Sequence, residues 1–185
     1  MVELLPAPSA DQQAVVALTG HAYLLTGSPP PWPLTAFGAE THPGLLLHLA
    51  GDAFTVGCLD VLLVATGSGA GGPPRLPADT EHPRIGLARA IRRQVEVFGD
   101  DRGVVTLATG LAGRRELSID ATPAVGGALL RDALGLLPAG APVFAAVSPG
   151  NARSLRAFLR TGFRPLGSEV MLHRSSLLDP AHAAP

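Results

Sequence analysis

The chain has 185 residues, 46% of them hydrophobic and 16% charged, a balance that suits one compact domain, with room for a small second lobe, and excludes a disordered polypeptide. All 14 basic residues are arginine, set against 15 acidic residues, and the formal net charge of −1 leaves no electrostatic footprint for nucleic acid or an anionic membrane. The longest apolar stretch, residues 53–66, is interrupted by Asp60 and is too short to span a bilayer. No basic segment precedes an apolar signal core, so the expected compartment is the cytoplasm.

Residues 14–25 hold two short apolar runs around Thr19-Gly20-His21, material for two strands. Residues 28–33, S-P-P-P-W-P, exclude helix and central strand and make a rigid connection. Thr41 is placed to cap a short helix through Leu49, and residues 54–65 read as a strand or strand pair. Cys58, the only cysteine, excludes an intrachain disulfide and in this apolar run reads as a core residue. The Gly/Pro-rich run 67–77 reads as a mobile loop. After Pro83, Ala88, Ile91, Val95 and Phe98 recur at helical spacing, with Arg89, Arg92, Arg93 and Glu96 pointing away, and a turn follows at residues 99–103. Residues 104–109 and 114–120 read as a hairpin joined by Gly110-Leu111-Ala112-Gly113. Thr122 as N-cap with Pro123 at the first helical position predicts a helix to about Leu137, its core stripe Val125, Leu129, Ala133 and Leu136.

Residues 141–147 form an unbroken apolar run, as in a strand buried on both faces. Ser148-Pro149-Gly150 turns the chain, and Asn151, its only asparagine, sits where an N-cap is wanted. Leu155, Phe158 and Leu159 give the next helix an apolar stripe, while Arg153, Arg156 and Arg160 gather on another face. Gly162 ends it as a C′ glycine, and Val170, Met171 and Leu172 read as a further strand.

The pattern N-x-x-S-x-x-x-F-x-x-x-G-F from Asn151 to Phe163, set between two strands, resembles the signature of the GCN5-related N-acetyltransferases. The resemblance is firm over residues 114–172 and extends back to Pro83. It implies an α/β fold with a mixed central sheet flanked by helices, splayed between the strands 114–120 and 141–147. On that reading residues 81–174 are the acetyltransferase-like core, 1–80 a divergent N-terminal portion or added lobe, and 175–185 a C-terminal tail. The implied activity is transfer of an acetyl group from acetyl-CoA to an amine by direct attack, without a metal. The acceptor would be a small-molecule or peptide amine, nucleic acid and membrane are not implied partners, and a homodimer is an allowed assembly.

Carried over residue by residue, Asn151 would bind the pantetheine arm. Phe158, where the family usually has Tyr, would lie beside the thioether. Leu117 and Ile119 would offer a strand edge to the pantetheine amides, and Gly126, Gly127 and Ala128 would hold the pyrophosphate at a helix N-terminus. The loop before them lacks the family's leading basic residue and carries Pro123 instead. Glu116 matches a position where some members carry a catalytic Glu, and it alternates with Ser118 and Asp120 on one polar face. It is therefore the candidate general base, the alternative being a solvated ion-pair surface with Arg114 and Arg115; Glu169 is a weaker candidate. His21, His48 and His82 show no metal-ligand spacing. Two functions stay open: an N-acetyltransferase, and a non-catalytic protein of the same fold that binds a ligand or partner. Phe158, with no proton to give a departing thiolate, speaks for the second.

Overall fold

The computed structural model describes residues 1–36, 38–122 and 124–178. Pro123 and residues 179–185 of the expected tail lie outside them. The chain divides into two compact units, Met1–Val61 with Leu166–Pro185, and Leu62–Pro165. The boundaries therefore differ from the expected 1–80, 81–174 and 175–185.

In the first unit, β1 (Val2–Leu5), β2 (Gln12–Leu18), β3 (His21–Leu25), the first part of β4 (Phe54–Thr66) and β9 (Arg164–Arg174) lie in the order β1-β3-β2-β9-β4. The expected pair of strands in 14–25 is the β2–β3 hairpin. Its turn is closed by Gly20 at φ 77°, with Leu18 opposite His21. Val15, Leu24, Val170 and Leu172 meet Leu45, Leu49 and Ala50 of α1 (Pro43–Ala50) in one core cluster. The alternation of strand side chains puts these residues on one face of the sheet. The cap of α1 is His42, whose Nδ1 accepts from the Gly44 amide at 3.1 Å, rather than Thr41. Cys58 is exposed, contrary to the core position expected for it. Gly57, Cys58 and Leu59 all lie at the surface, because this part of β4 is not buried on both faces as a continuous apolar run suggests. The short helix α5 (Ser175–Leu178) ends the described chain.

In the second unit the strand order is β4-β8-β7-β6-β5, with β5 (Arg93–Asp100), β6 (Gly103–Thr109), β7 (Arg115–Ala121) and β8 (Pro142–Val147). The predicted hairpin is present as β6 and β7, paired Val104 to Asp120 and Thr106 to Ser118. Helix α2 (Pro83–Ile91) packs on β5, β6 and β7, and α3 (Gly126–Leu134) on β6, β7 and α4 (Ala152–Arg160). Ladders β5–β6 and β6–β7 are antiparallel, whereas β7 and β8 run parallel and pair at Glu116 opposite Phe144. The chain is thus a mixed α/β protein whose sheet pairing is mostly antiparallel, and the predicted succession of strand, strand, helix, strand, helix, strand is realised as β6, β7, α3, β8, α4 and β9. No helix among the described residues is long and apolar enough to cross a membrane.

Three expectations are corrected here. The helix after Pro83 stops at Ile91, because Arg92 is extended and Gln94 has a positive φ of 50°. Val95 and Phe98 belong instead to β5, where Phe98 pairs with Val105; β-branched and aromatic residues favour such a partnered strand. The run 67–77 is pinned by main-chain bonds, among them Ser68 N to Leu134 O, Gly71 N to Gly135 O and Leu76 N to Val97 O. Finally, α3 runs from Gly126 to Leu134 with Val125 rather than Thr122 at its N-cap, and the Thr122 carbonyl accepts from Val125 and Gly126 in a preceding turn.

Gly103 sets the β5–β6 turn at φ 144°, and a Cβ there would collide with the Asp120 carbonyl oxygen. Gly103→Ala should cost about 1–3 kcal/mol in urea denaturation. Gly127→Ala, placed in open space on a helix, should be neutral or stabilising by up to about 1 kcal/mol. Equal stability of the two variants would contradict this turn geometry.

Candidate functional site

Because β7 and β8 are parallel and each runs into a helix, the N-termini of α3 and α4 rise from the carboxyl ends of neighbouring strands. Both positive helix ends therefore face the same edge of the second unit. In open α/β sheets the crevice outside such carboxyl ends is where ligands are held.

At the start of α4 the Asn151 side chain performs the expected cap: Oδ1 accepts from the Ser154 amide at 3.1 Å, while the Asn151 amide donates to the Ser148 carbonyl at 2.9 Å. The residue is exposed, and its amide nitrogen has no partner among the described residues. At the start of α3, Gly126 and Gly127 have no positive φ; a Cβ would meet only Ala121 Cβ at 3.5 Å in the first case and nothing within 4 Å in the second. Neither backbone conformation nor close packing on the sheet asks for glycine here, although two glycines in a first turn cost roughly 1 kcal/mol each against alanine. Among the described residues, open space lies over Gly127, with Ala128 half-buried beside it.

Leu117 is buried and Ile119 half-buried on β7, beyond its pairing point with β8. Among the described residues, residues 117–121 pair with β6 alone. These two residues, the glycines and Asn151 are thus brought to the carboxyl half of the parallel pair. Phe158 is not. It lies further along α4 with 4% of its surface exposed, its ring edge-on to Phe163 with centroids 4.9 Å apart. Gly162, at φ 97°, turns the chain so that Phe163 folds back onto it.

Glu116 stands at the other end of the pair and is 6% exposed. Its Oε2 accepts from Arg92 Nε at 2.5 Å and its Oε1 from Arg114 Nε at 2.7 Å. Burial pushes the carboxyl up, but the Arg92 and Arg114 guanidiniums outweigh it and hold the group below its ordinary value. Gly110 touches this carboxylate so closely that any Cβ would overlap it, and the Arg114 guanidinium stacks 5.6 Å from the Phe144 ring centroid. The expected alternative, a solvated surface pair with Arg114 and Arg115, is replaced by a buried triad with Arg92 and Arg114; Arg115 pairs with Glu96 instead. Sequence reasoning placed Arg92 on an outward helix face and so missed it; only the end of α2 brings it here. A carboxylate with both oxygens engaged and a lowered pKa is poorly suited to take a proton near neutral pH. Of the other polar residues on this strand face, Ser118 bonds Thr106 at 2.6 Å between their hydroxyl oxygens, and Asp120 is exposed. Glu169 is buried on β9 in the first unit. Among the described residues no group of three His, Cys, Asp or Glu side chains is arranged to hold a metal ion.

No family model and no curated protein matches the sequence. Among solved structures, a GCN5-related N-acetyltransferase from Kribbella flavida is similar at a TM-score of 0.38 and 16% identity. The likeness covers 73% of this chain and 65% of that chain, less than two thirds of the neighbour's length. The functional reading rests accordingly on the crevice and its residues.

Removing the carboxylate strands two nearly buried guanidiniums, so Glu116→Ala should destabilise the protein by about 3–5 kcal/mol. The folded carboxyl lies below its ordinary value of 4.5. Its contribution is therefore complete well above that pH and is lost as pH falls from there through the depressed folded value. The stability gap between wild type and Glu116→Gln, read by urea denaturation, should be widest near pH 7 and narrow below about pH 4.5. A gap unchanged down to pH 3 would contradict the ion-pair account.

Proposed function

We propose that the unit Leu62–Pro165 binds acetyl-CoA in the crevice at the carboxyl ends of β7 and β8, and that the protein transfers the acetyl group to an amine. The observation that carries this reading is the meeting of an exposed asparagine cap on α4 with two glycines that α3 does not need for its own packing. Asn151 offers its amide nitrogen to the pantetheine arm. The main chain of Gly126, Gly127 and Ala128, with the dipole of α3, faces the pyrophosphate. The edge of β7 at Leu117 and Ile119 offers backbone groups to the pantetheine amides.

Acetyl-CoA supplies a thioester whose acyl carbon is bonded by the amine nitrogen as the carbon–sulfur bond breaks. Glu116 anchors the base of the parallel pair rather than accepting the ammonium proton, which passes to water. Phe158 has no proton to give, so water also protonates the departing thiolate. The rate then comes mainly from holding amine and thioester in line. The acceptor is a small-molecule or peptide amine.

The burial of Phe158 favours a second reading, in which the same crevice holds its ligand without turnover. Calorimetry with acetyl-CoA and thiol release with a panel of amines separate the two: binding without release supports the second, and no binding by wild type overturns the first. Asn151→Ala should weaken acetyl-CoA binding by about 1–2 kcal/mol, roughly 5- to 30-fold. The double change Gly126→Val with Gly127→Val should abolish it, with the fold retained. Phe158→Tyr tests the ring directly. Its hydroxyl should cost about 1–3 kcal/mol of stability if it stays buried and unpaired, whereas unchanged melting with faster thiol release would place the ring at the thioester.

A further inference from the structure

The outward face of α4 carries Arg153, Arg156 and Arg160, and Arg164 follows just beyond the helix; all four are exposed, and none forms an ion pair among the described residues. Elsewhere in this unit Arg92 and Arg114 pair with Glu116, Arg102 with Asp100 and Asp132, and Arg75 and Arg115 with Glu96, while Arg84, Arg89, Arg93 and Arg131, dispersed along the chain, form no ion pair among the described residues. Between Asp132 and Glu169 the sequence has no acidic residue at all.

Local energetics oppose this arrangement. Arg153 sits in the first turn of α4, where the positive end of the helix dipole repels a cation. Arg153 and Arg156 are spaced i, i+3, Arg156 and Arg160 i, i+4, and like charges at those spacings destabilise a helix. Among the described residues none bonds or pairs with the three side chains, so an external anionic partner is the natural compensation. Leu159, 41% exposed, borders the arginine face at the edge of the apolar stripe it shares with Leu155 and Phe158, an apolar contact of the kind a protein helix covers. From Arg153 to Arg160 the rise is about 10 Å, two helical turns.

We propose that this face docks an acidic helix of a partner protein. Its carboxylates, repeating every three or four residues, pair with Arg153, Arg156 and Arg160, and an apolar residue beside them covers Leu159. Guanidinium forks suit carboxylates, and arginine is enriched at protein interfaces. The proposal is independent of the acetyl-CoA reading.

The test uses the full chain and a fluorescein-labelled, alanine-rich helical peptide with glutamates along one face and one leucine beside them, against a scrambled peptide of the same composition. Fluorescence anisotropy should show the faced peptide binding at least about tenfold more tightly than the scrambled one, with affinity falling as salt is added. The triple reversal Arg153→Glu, Arg156→Glu, Arg160→Glu should abolish that binding. Arg156→Gln, which removes two like-charge contacts, should raise the melting temperature by about 1–3 °C. Equal binding of both peptides, preference for a single-stranded oligonucleotide or for phosphatidylserine vesicles, or a lower melting temperature for Arg156→Gln would overturn the proposal. Displacement of the peptide by acetyl-CoA would likewise overturn it, by assigning the ladder to the nucleotide crevice.

Discussion

The buried carboxylate of Glu116 is the constraint on which the second unit turns. Through it the end of α2, the connection from β6 to β7, and the register pair of β7 with β8 are tied at a single residue. Three charges taken largely out of water are tolerated only when geometry is close and each hydrogen bond is made. Here both carboxylate oxygens are met, and Gly110 has no side chain because none would fit. The triad also accounts for an irregular piece of chain. Arg92 caps α2 in extended conformation and Gln94 takes a positive φ, the route by which the chain leaves a helix and enters β5 while its guanidinium still reaches inward.

With the base of the parallel pair secured in this way, its carboxyl half is free to carry chemistry. The start of α3 is placed from a different quarter. Arg102 grips Asp100 through two of its nitrogens and Asp132 of α3 through a third, and its carbonyl accepts from the Thr122 amide. The tip of the β5–β6 hairpin therefore positions the turn from which Gly126 and Gly127 emerge. Rigid surroundings and an open helix end are complementary, since a site holds its geometry only when its supports are locked.

Helix α4 divides its surface among three tasks. Its inner face contributes Phe158, closed on Phe163, to the core; its N-terminus is ordered by Asn151; and its outer face holds arginines that no acidic neighbour among the described residues balances. A helix of nine residues is too short to be stable alone. Packing of the inner face must therefore offset the repulsion on the outer one.

What the sequence determined by itself was what lies within a few residues of its own cause. The β6–β7 hairpin follows from two short runs joined by Gly110-Leu111-Ala112-Gly113, and the two ends of α4 follow from an Asn–Ser cap at one and a glycine at φ 97° at the other. These are local bonds, legible without knowing what packs around them. Tertiary structure decided the rest. Ala88, Ile91, Val95 and Phe98 keep helical spacing, yet the last two belong to a strand because β6 supplies its partner. Arg92 and Glu116 are 24 residues apart, and nothing in either neighbourhood announces that they meet. Cys58 lies in an apolar run but at the surface, and His42 rather than Thr41 caps α1. At the candidate site, Asn151 was legible as a cap. The open space over Gly127 and the burial of Phe158 were not, because burial depends on which distant segments cover a residue, and only the folded chain specifies them.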